Sequence, residues 1–90
     1  MKPIRWSPHA LKNLADREIP REEAEKTLLS PEFVVPAGTR RQIFMRRYMD
    51  VRFGQEMLVR AVVEEKADEV LVITVYITSK IGKYMKGTMP

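Results

Sequence analysis

Apolar and polar positions divide the chain into two short helical stretches followed by strands, and the clearest element is the run EVLVITVYIT at residues 69–78. Nearly every residue in it is β-branched or aromatic, which predicts a strand. Both alternating sets are apolar, Leu71, Ile73, Val75 and Ile77 on one side, Val70, Val72 and Tyr76 on the other. A strand of that kind is covered on both faces and lies inside a sheet. Residues 42–53 and 57–65 predict two further strands, turned at Gly54-Gln55 and at Lys66-Ala67-Asp68, and Phe33 to Val35 predicts a brief one. Near the start, Pro3 to Trp6 suits an edge strand, where proline is tolerated.

Ser7-Pro8 reads as an N-cap with proline at the first helical position, opening a helix to about Glu18 with Leu11, Leu14 and Ala15 at core spacing. Pro20 breaks it, and Glu22 and Glu23 occupy the favoured first turn of a second helix. Ala24 and Leu28, extended by Leu29, supply that helix's apolar stripe, and Ser30-Pro31 ends it. The expected architecture is α+β: one domain over residues 1–90, with two N-terminal helices packed on one face of an antiparallel sheet. Residues 82–90 are expected to form a last helical turn or a mobile basic tail.

Loop lengths then set a register. A three-residue loop at 66–68 aligns Val63 with Leu71, Ala61 with Ile73 and Val59 with Val75. A three-residue loop at 54–56 aligns Phe53 with Met57, Val51 with Val59 and Met49 with Ala61. The helices would then cover Met49, Val51, Met57, Val59, Ala61, Val63, Leu71, Ile73 and Val75. The open face would carry Arg46, Tyr48, Asp50, Arg52, Arg60, Thr74, Tyr76 and Thr78, with Asp50 across from Arg60. A two-residue Gly54-Gln55 turn is the rival, but it drives Arg46, Tyr48, Asp50 and Arg52 under the helices, at the cost of burying charge.

Composition narrows the chemistry. With no cysteine and one histidine, no disulfide framework and no structural zinc or iron–sulfur site is expected, and no other cofactor is implied. No apolar run approaches the roughly 20 residues of a membrane span, and the start lacks signal-peptide character, so a cytoplasmic protein is expected. The net charge of +4 is modest but unevenly spread, with arginines between Arg40 and Arg60 and lysines at Lys80, Lys83 and Lys86. Separate basic patches suit an anionic partner, either nucleic acid or an acidic protein segment. No glycine-rich phosphate loop, carboxylate pair or serine–histidine–acid arrangement stands out.

Trp6-Ser7-Pro8-His9-Ala10, then Arg17-Glu18-Ile19 ahead of a Glu-rich helix, resembles the opening of an uncharacterised bacterial domain family, whose closing strand is matched at Val72-Ile73-Thr74-Val75-Tyr76. That family is similar to the RelE/ParE-like and BrnT-type toxins of toxin–antitoxin systems. The resemblance implies a β-α-α-β-β-β order, a metal-independent endoribonuclease acting on mRNA with or without the ribosome, and an acidic antitoxin as partner. Pro20 stands where a serine or threonine cap is more usual.

Cleavage by the 2′-hydroxyl needs a base, a stabiliser of phosphorane charge and an acid for the leaving oxygen. The candidates are Arg60 as stabiliser and, for the base and the acid, His9 as the only histidine, Tyr76 or a perturbed lysine. Arg17, Arg46, Tyr48, Arg52 and Lys80 are candidate RNA contacts, as arginine and lysine hold phosphates and aromatics stack bases. The resemblance adds Lys83 and Tyr84, because related toxins often carry functional basic or tyrosine residues near the C-terminus. Each candidate also has a structural alternative. His9 can pack at a helix start, Arg17 can pair with Asp16 or Glu22, and the open face can be covered by the C-terminal segment. The alternative function is a non-catalytic protein- or RNA-binding module of the same fold.

Overall fold

The computed structural model describes residues 2–85. In chain order the elements are β1 (Ile4–Trp6), α1 (Pro8–Asp16), α2 (Arg21–Leu29), β2 (Phe33–Pro36), β3 (Arg41–Asp50), β4 (Gln55–Glu65), β5 (Val70–Thr78) and α3 (Ile81–Met85). One five-stranded sheet has the order β1-β5-β4-β3-β2, so β5 lies inside it as its apolar run predicts. The sheet departs from the antiparallel expectation in that β1 runs parallel to β5. Its five strands, all read from the residues, are one more than the order β-α-α-β-β-β implied by the resemblance.

α1 begins where the sequence predicts. The Ser7 hydroxyl oxygen accepts from Ala10 N–H at 3.0 Å, and Pro8 supplies the first helical φ. The helix buries Ala10, Asn13 and Leu14, whereas Leu11 and Ala15 are exposed. With Ile19, Ala24 and Leu28 these apolar side chains form one core against Tyr48, Met57, Val59, Ala61, Val63, Val72 and Val75.

The buried Asn13 follows from the shortness of β1, which pairs only with Val70 to Val72 and leaves the rest of that β5 edge open. Side chains take over there. Ser7 Oγ donates to Ile73 O at 3.0 Å, and Asn13 Oδ1 accepts from Val75 N–H at 3.1 Å and from the Thr74 hydroxyl at 2.7 Å. Arg17 then donates to Val75 O at 3.2 Å. Asn13→Ala strands both donors and should cost about 1–3 kcal/mol, read as a lowered urea midpoint. An unchanged midpoint would show that these bonds contribute nothing net.

Register is where the structure corrects the expectation. β3 and β4 pair Tyr48 with Met57 and Asp50 with Gln55 around a turn at residues 51–54. Neither short loop forms, yet the faces divide as in the rejected alternative: Tyr48 packs with α1 and α2, and Arg46 reaches Glu23 of α2. The objection from charge burial fails because the charges arrive paired. Arg46 meets Glu23 at 2.9 Å, and Asp50, 2% exposed, accepts from the Tyr48 hydroxyl at 2.6 Å. Arg52 then closes on the same carboxylate at 3.2 Å. Met49 and Val51 go to solvent instead, Val51 at 91% exposed. Arg60 pairs with Met45 on β3 rather than Asp50, and with Tyr76 on β5 rather than Thr74.

A second shift lies in β5. Val63 pairs with Val72 and Val62 with Thr74, so Ile73 is an extra, bulged residue. The bulge exchanges the faces: Val70 and Val72 meet the helices before it, Val75 and Ile77 after it. Leu71 and Ile73 therefore do not hold the helices as expected. No described helix is long and apolar enough to cross a membrane.

Candidate functional site

The sheet face away from α1 and α2 has its own small core. Met45 and Leu58 are fully buried there, with Phe33, Val35 and Ile43 at its margin. The chain leaves β5 at Thr78 and returns over this face as α3, which docks Ile81 and Tyr84 on that core. The C-terminal segment thus covers part of the face, and a helical turn stands where a tail was the other expectation. Residues 86–90, with Lys86, lie outside the described residues.

Beside this core the register places Arg60 of β4 directly across from Tyr76 of β5. Arg60 donates through Nη1 to the Tyr76 hydroxyl. Its guanidinium carbon lies 5.3 Å from the centre of the Tyr76 ring and 4.1 Å from that of Tyr84. The two rings meet edge-on at 6.3 Å. Lys83 Nζ approaches the Tyr84 ring at 5.3 Å. Arginine over aromatic faces is a favourable cation–π arrangement.

Arg60 differs from its neighbours in what it lacks. Arg5, Arg41, Arg46, Arg47 and Arg52 each reach a carboxylate. Arg60 reaches none among the described residues, as is also true of Arg17, Arg21 and Arg40, and it is set apart from these by an Nε buried without a hydrogen-bond partner. Burial pushes the Tyr76 phenol up from its ordinary value of 10.0, against the pull of the Arg60 charge. Tyr76 therefore stays protonated at neutral pH and able to donate. The site combines an unneutralised guanidinium, two aromatic faces and a nearby ammonium, a set suited to an anionic, ring-bearing ligand.

Of the residues singled out in the sequence, Arg60, Tyr76, Lys83 and Tyr84 come together here. His9 does not: it is exposed on α1, which packs on the opposite face. Arg17 is engaged at the β5 edge. Arg46 and Tyr48 sit on the helix side, and Arg52 sits in the turn after β3, held by Asp50 and by Glu18 at 3.2 Å. Lys80 is exposed between β5 and α3, where its N–H donates to Thr78 Oγ1. What the sequence reading missed is the apolar floor of Met45 and Leu58 on which α3 docks, whereas cover by the C-terminal segment was its stated alternative. The i, i+3 spacing of Ile81 and Tyr84 was the available signal, one face of a short helix.

Other concave places are less suggestive. A cleft of 740 Å³ at the far end of the sheet is lined by Lys2, Arg41, Glu64, Glu65 and Lys66. Apart from Arg40, which also lines it and makes no ion pair among the described residues, those charges are spent on one another, Lys2 on Glu65 at 3.1 Å and Arg41 and Lys66 on Glu64 at 3.5 Å. Among the described residues no group of His, Cys, Asp and Glu gathers as a metal site would require.

Comparison with known proteins gives one finding. The family model described as "Domain of unknown function (DUF4258)" matches residues 6–77, a span that includes Arg60 and Tyr76 and stops short of α3. No curated protein and no solved structure matches the chain.

Proposed function

The chain belongs to the DUF4258 family of domains of unknown function, and from that premise we propose that it is an RNA-directed domain of RelE-like, toxin-like character whose contact centre is Arg60. The observation that carries the proposal is the guanidinium without a carboxylate, set between the rings of Tyr76 and Tyr84. A phosphate oxygen satisfies such a cation, and the aromatic faces suit the bases on either side of it. Lys80 and Lys83 extend the basic rim. The same face would take an acidic antitoxin-like protein, which in that arrangement competes with RNA for Arg60.

Cleavage is the stronger form of the proposal. Arg60 would stabilise the phosphorane and Tyr76, a phenol protonated at neutral pH, would pass a proton to the leaving oxygen. The base has no occupant, because His9 stands on α1 and α1 packs on the other face. That gap favours a second reading, RNA binding without turnover, and an RNA-degradation assay separates the two.

For binding itself, Arg60→Ala should weaken the affinity for a labelled single-stranded RNA about tenfold and reduce the salt slope by about one counterion. His9→Ala and Arg46→Ala should leave both unchanged. Fluorescence anisotropy over a salt series reads this directly. Wild-type protein that binds no RNA at low salt, and that leaves growth unhindered when expressed at high level, would reject the proposal.

A further inference from the structure

The helix that borders the site also obstructs it, and we infer that α3 is a latch controlling access to Arg60. The inference rests on the RNA reading only for what enters once the latch is open. α3 has five described residues, a length too short to remain helical alone in water. It is helical while Ile81 and Tyr84 are docked on Met45 and Leu58. Docked, Tyr84 lies 4.1 Å over the guanidinium and closes that side of it. Nη1 is meanwhile engaged by Tyr76, and Nε is enclosed with no acceptor.

These features oppose one another. Apolar contact holds the latch down, whereas an enclosed N–H without an acceptor penalises the closed state. Water or a phosphate oxygen relieves that penalty once the Tyr84 ring swings away. A short element whose described contacts with this core are Ile81 and Tyr84 belongs to the low end of local stability and opens without global unfolding. Arg60 is thereby shielded in the free protein and exposed to an anion that competes for it.

Two substitutions move the latch in opposite directions. Gly82 lies within α3, with nothing within 4 Å of the place a Cβ would occupy. Gly82→Ala therefore raises helix propensity without a clash and favours the closed state. Ile81→Ala removes one of the two anchors and favours the open one.

The first readout uses no RNA: phenylglyoxal labelling of Arg60, followed by peptide mass spectrometry. Relative to wild type, labelling should be about threefold slower in Gly82→Ala and at least about threefold faster in Ile81→Ala. Arg5 and Arg47 should label at constant rates. Affinity for a fluorescent single-stranded RNA should rise and fall in the same order. Equal Arg60 labelling in the three proteins, each folded by circular dichroism, overturns the latch. Should Ile81→Ala fail to fold, Gly82→Ala decides alone, since it adds stability. Labelling rates that move while no protein binds RNA uphold the latch and remove the RNA reading. Constant rates with tight RNA binding do the reverse.

Discussion

Leu58→Ala should destabilise the domain by about 2–5 kcal/mol, among the largest effects any single truncation is expected to have here. Leu58 is fully buried in the middle of β4, the central strand, on the face away from the two long helices. Its side chain packs with Met45 beneath Ile81 and Tyr84. Truncation removes the transfer free energy of the deleted atoms and also leaves a cavity. The surroundings close that cavity poorly, since the strands beneath are locked by ladder hydrogen bonds on both sides of β4. The loss also falls on α3, whose two anchors rest on this floor. Leu29, 57% exposed at the end of α2, is the natural control, and Leu29→Ala should stay within about 0.5 kcal/mol of wild type. Urea unfolding with a common m-value measures both. Similar midpoints for the two variants would mean that the second core does not exist as described.

The other large effect is on acid stability and belongs to Asp50. Its carboxylate accepts from the Tyr48 hydroxyl, from the Arg52 guanidinium and from the N–H groups of Arg52 and Phe53. These donors hold its pKa at about 2, below the ordinary 3.8. Where the folded pKa is the lower one, the folded state binds fewer protons, so stability is gained above the unfolded value and lost on acidification through the folded one. The contribution of Asp50 is thus complete above about pH 4 and disappears towards pH 2. Asp50→Asn should be less stable than wild type at neutral pH, with the two converging as the pH falls through that window. Arg47 holds Glu32 below its ordinary range too, so wild type and variant both retain some acid dependence, and the difference between them is the quantity to follow. Urea midpoints from neutral pH down to about 2 supply it. A constant gap across the window would show that the variant lost packing and no ionic contribution.

How much of this was legible beforehand varies with the kind of residue. Ser7-Pro8, Pro20 and the run at 69–78 each act locally, through a cap, a missing N–H and β-branching, and they placed the helices and strands to within a few residues. The faces of β3 were not legible, because Met49, Val51 and Phe53 look like core and Arg46, Tyr48 and Asp50 look like surface. Only the folded chain brings Glu23 to Arg46 and Arg52 onto Asp50, and those partners reverse the choice. The bulge at Ile73 was hidden for a related reason: a strand apolar on both faces carries no mark where its faces exchange. At the site, Arg60 and Tyr76 kept the shared face expected of them, since the part of β5 beyond the bulge keeps its faces, but the expected register had set Thr74 and not Tyr76 across from Arg60. The remote candidates His9, Arg17, Arg46, Tyr48 and Arg52 were grouped by charge and ring, properties that say nothing about which side of a sheet a residue takes.

The short β1 has a consequence for behaviour in concentrated solution. An open strand edge is a template on which another molecule can build, and natural sheets blunt theirs. Beyond Val72, β5 is among the most apolar strands in the chain, and its edge is sealed through Val75 by three side chains, Ser7, Asn13 and Arg17. At the opposite side β2 is protected differently, with Pro36 unable to donate to an incoming strand. Ser7, Asn13 and Arg17 therefore also occupy the edge positions an incoming strand would use. Variants at Asn13 and Arg17 are best judged by light scattering as well as by midpoint, because such a change can leave the monomer folded and still make it insoluble.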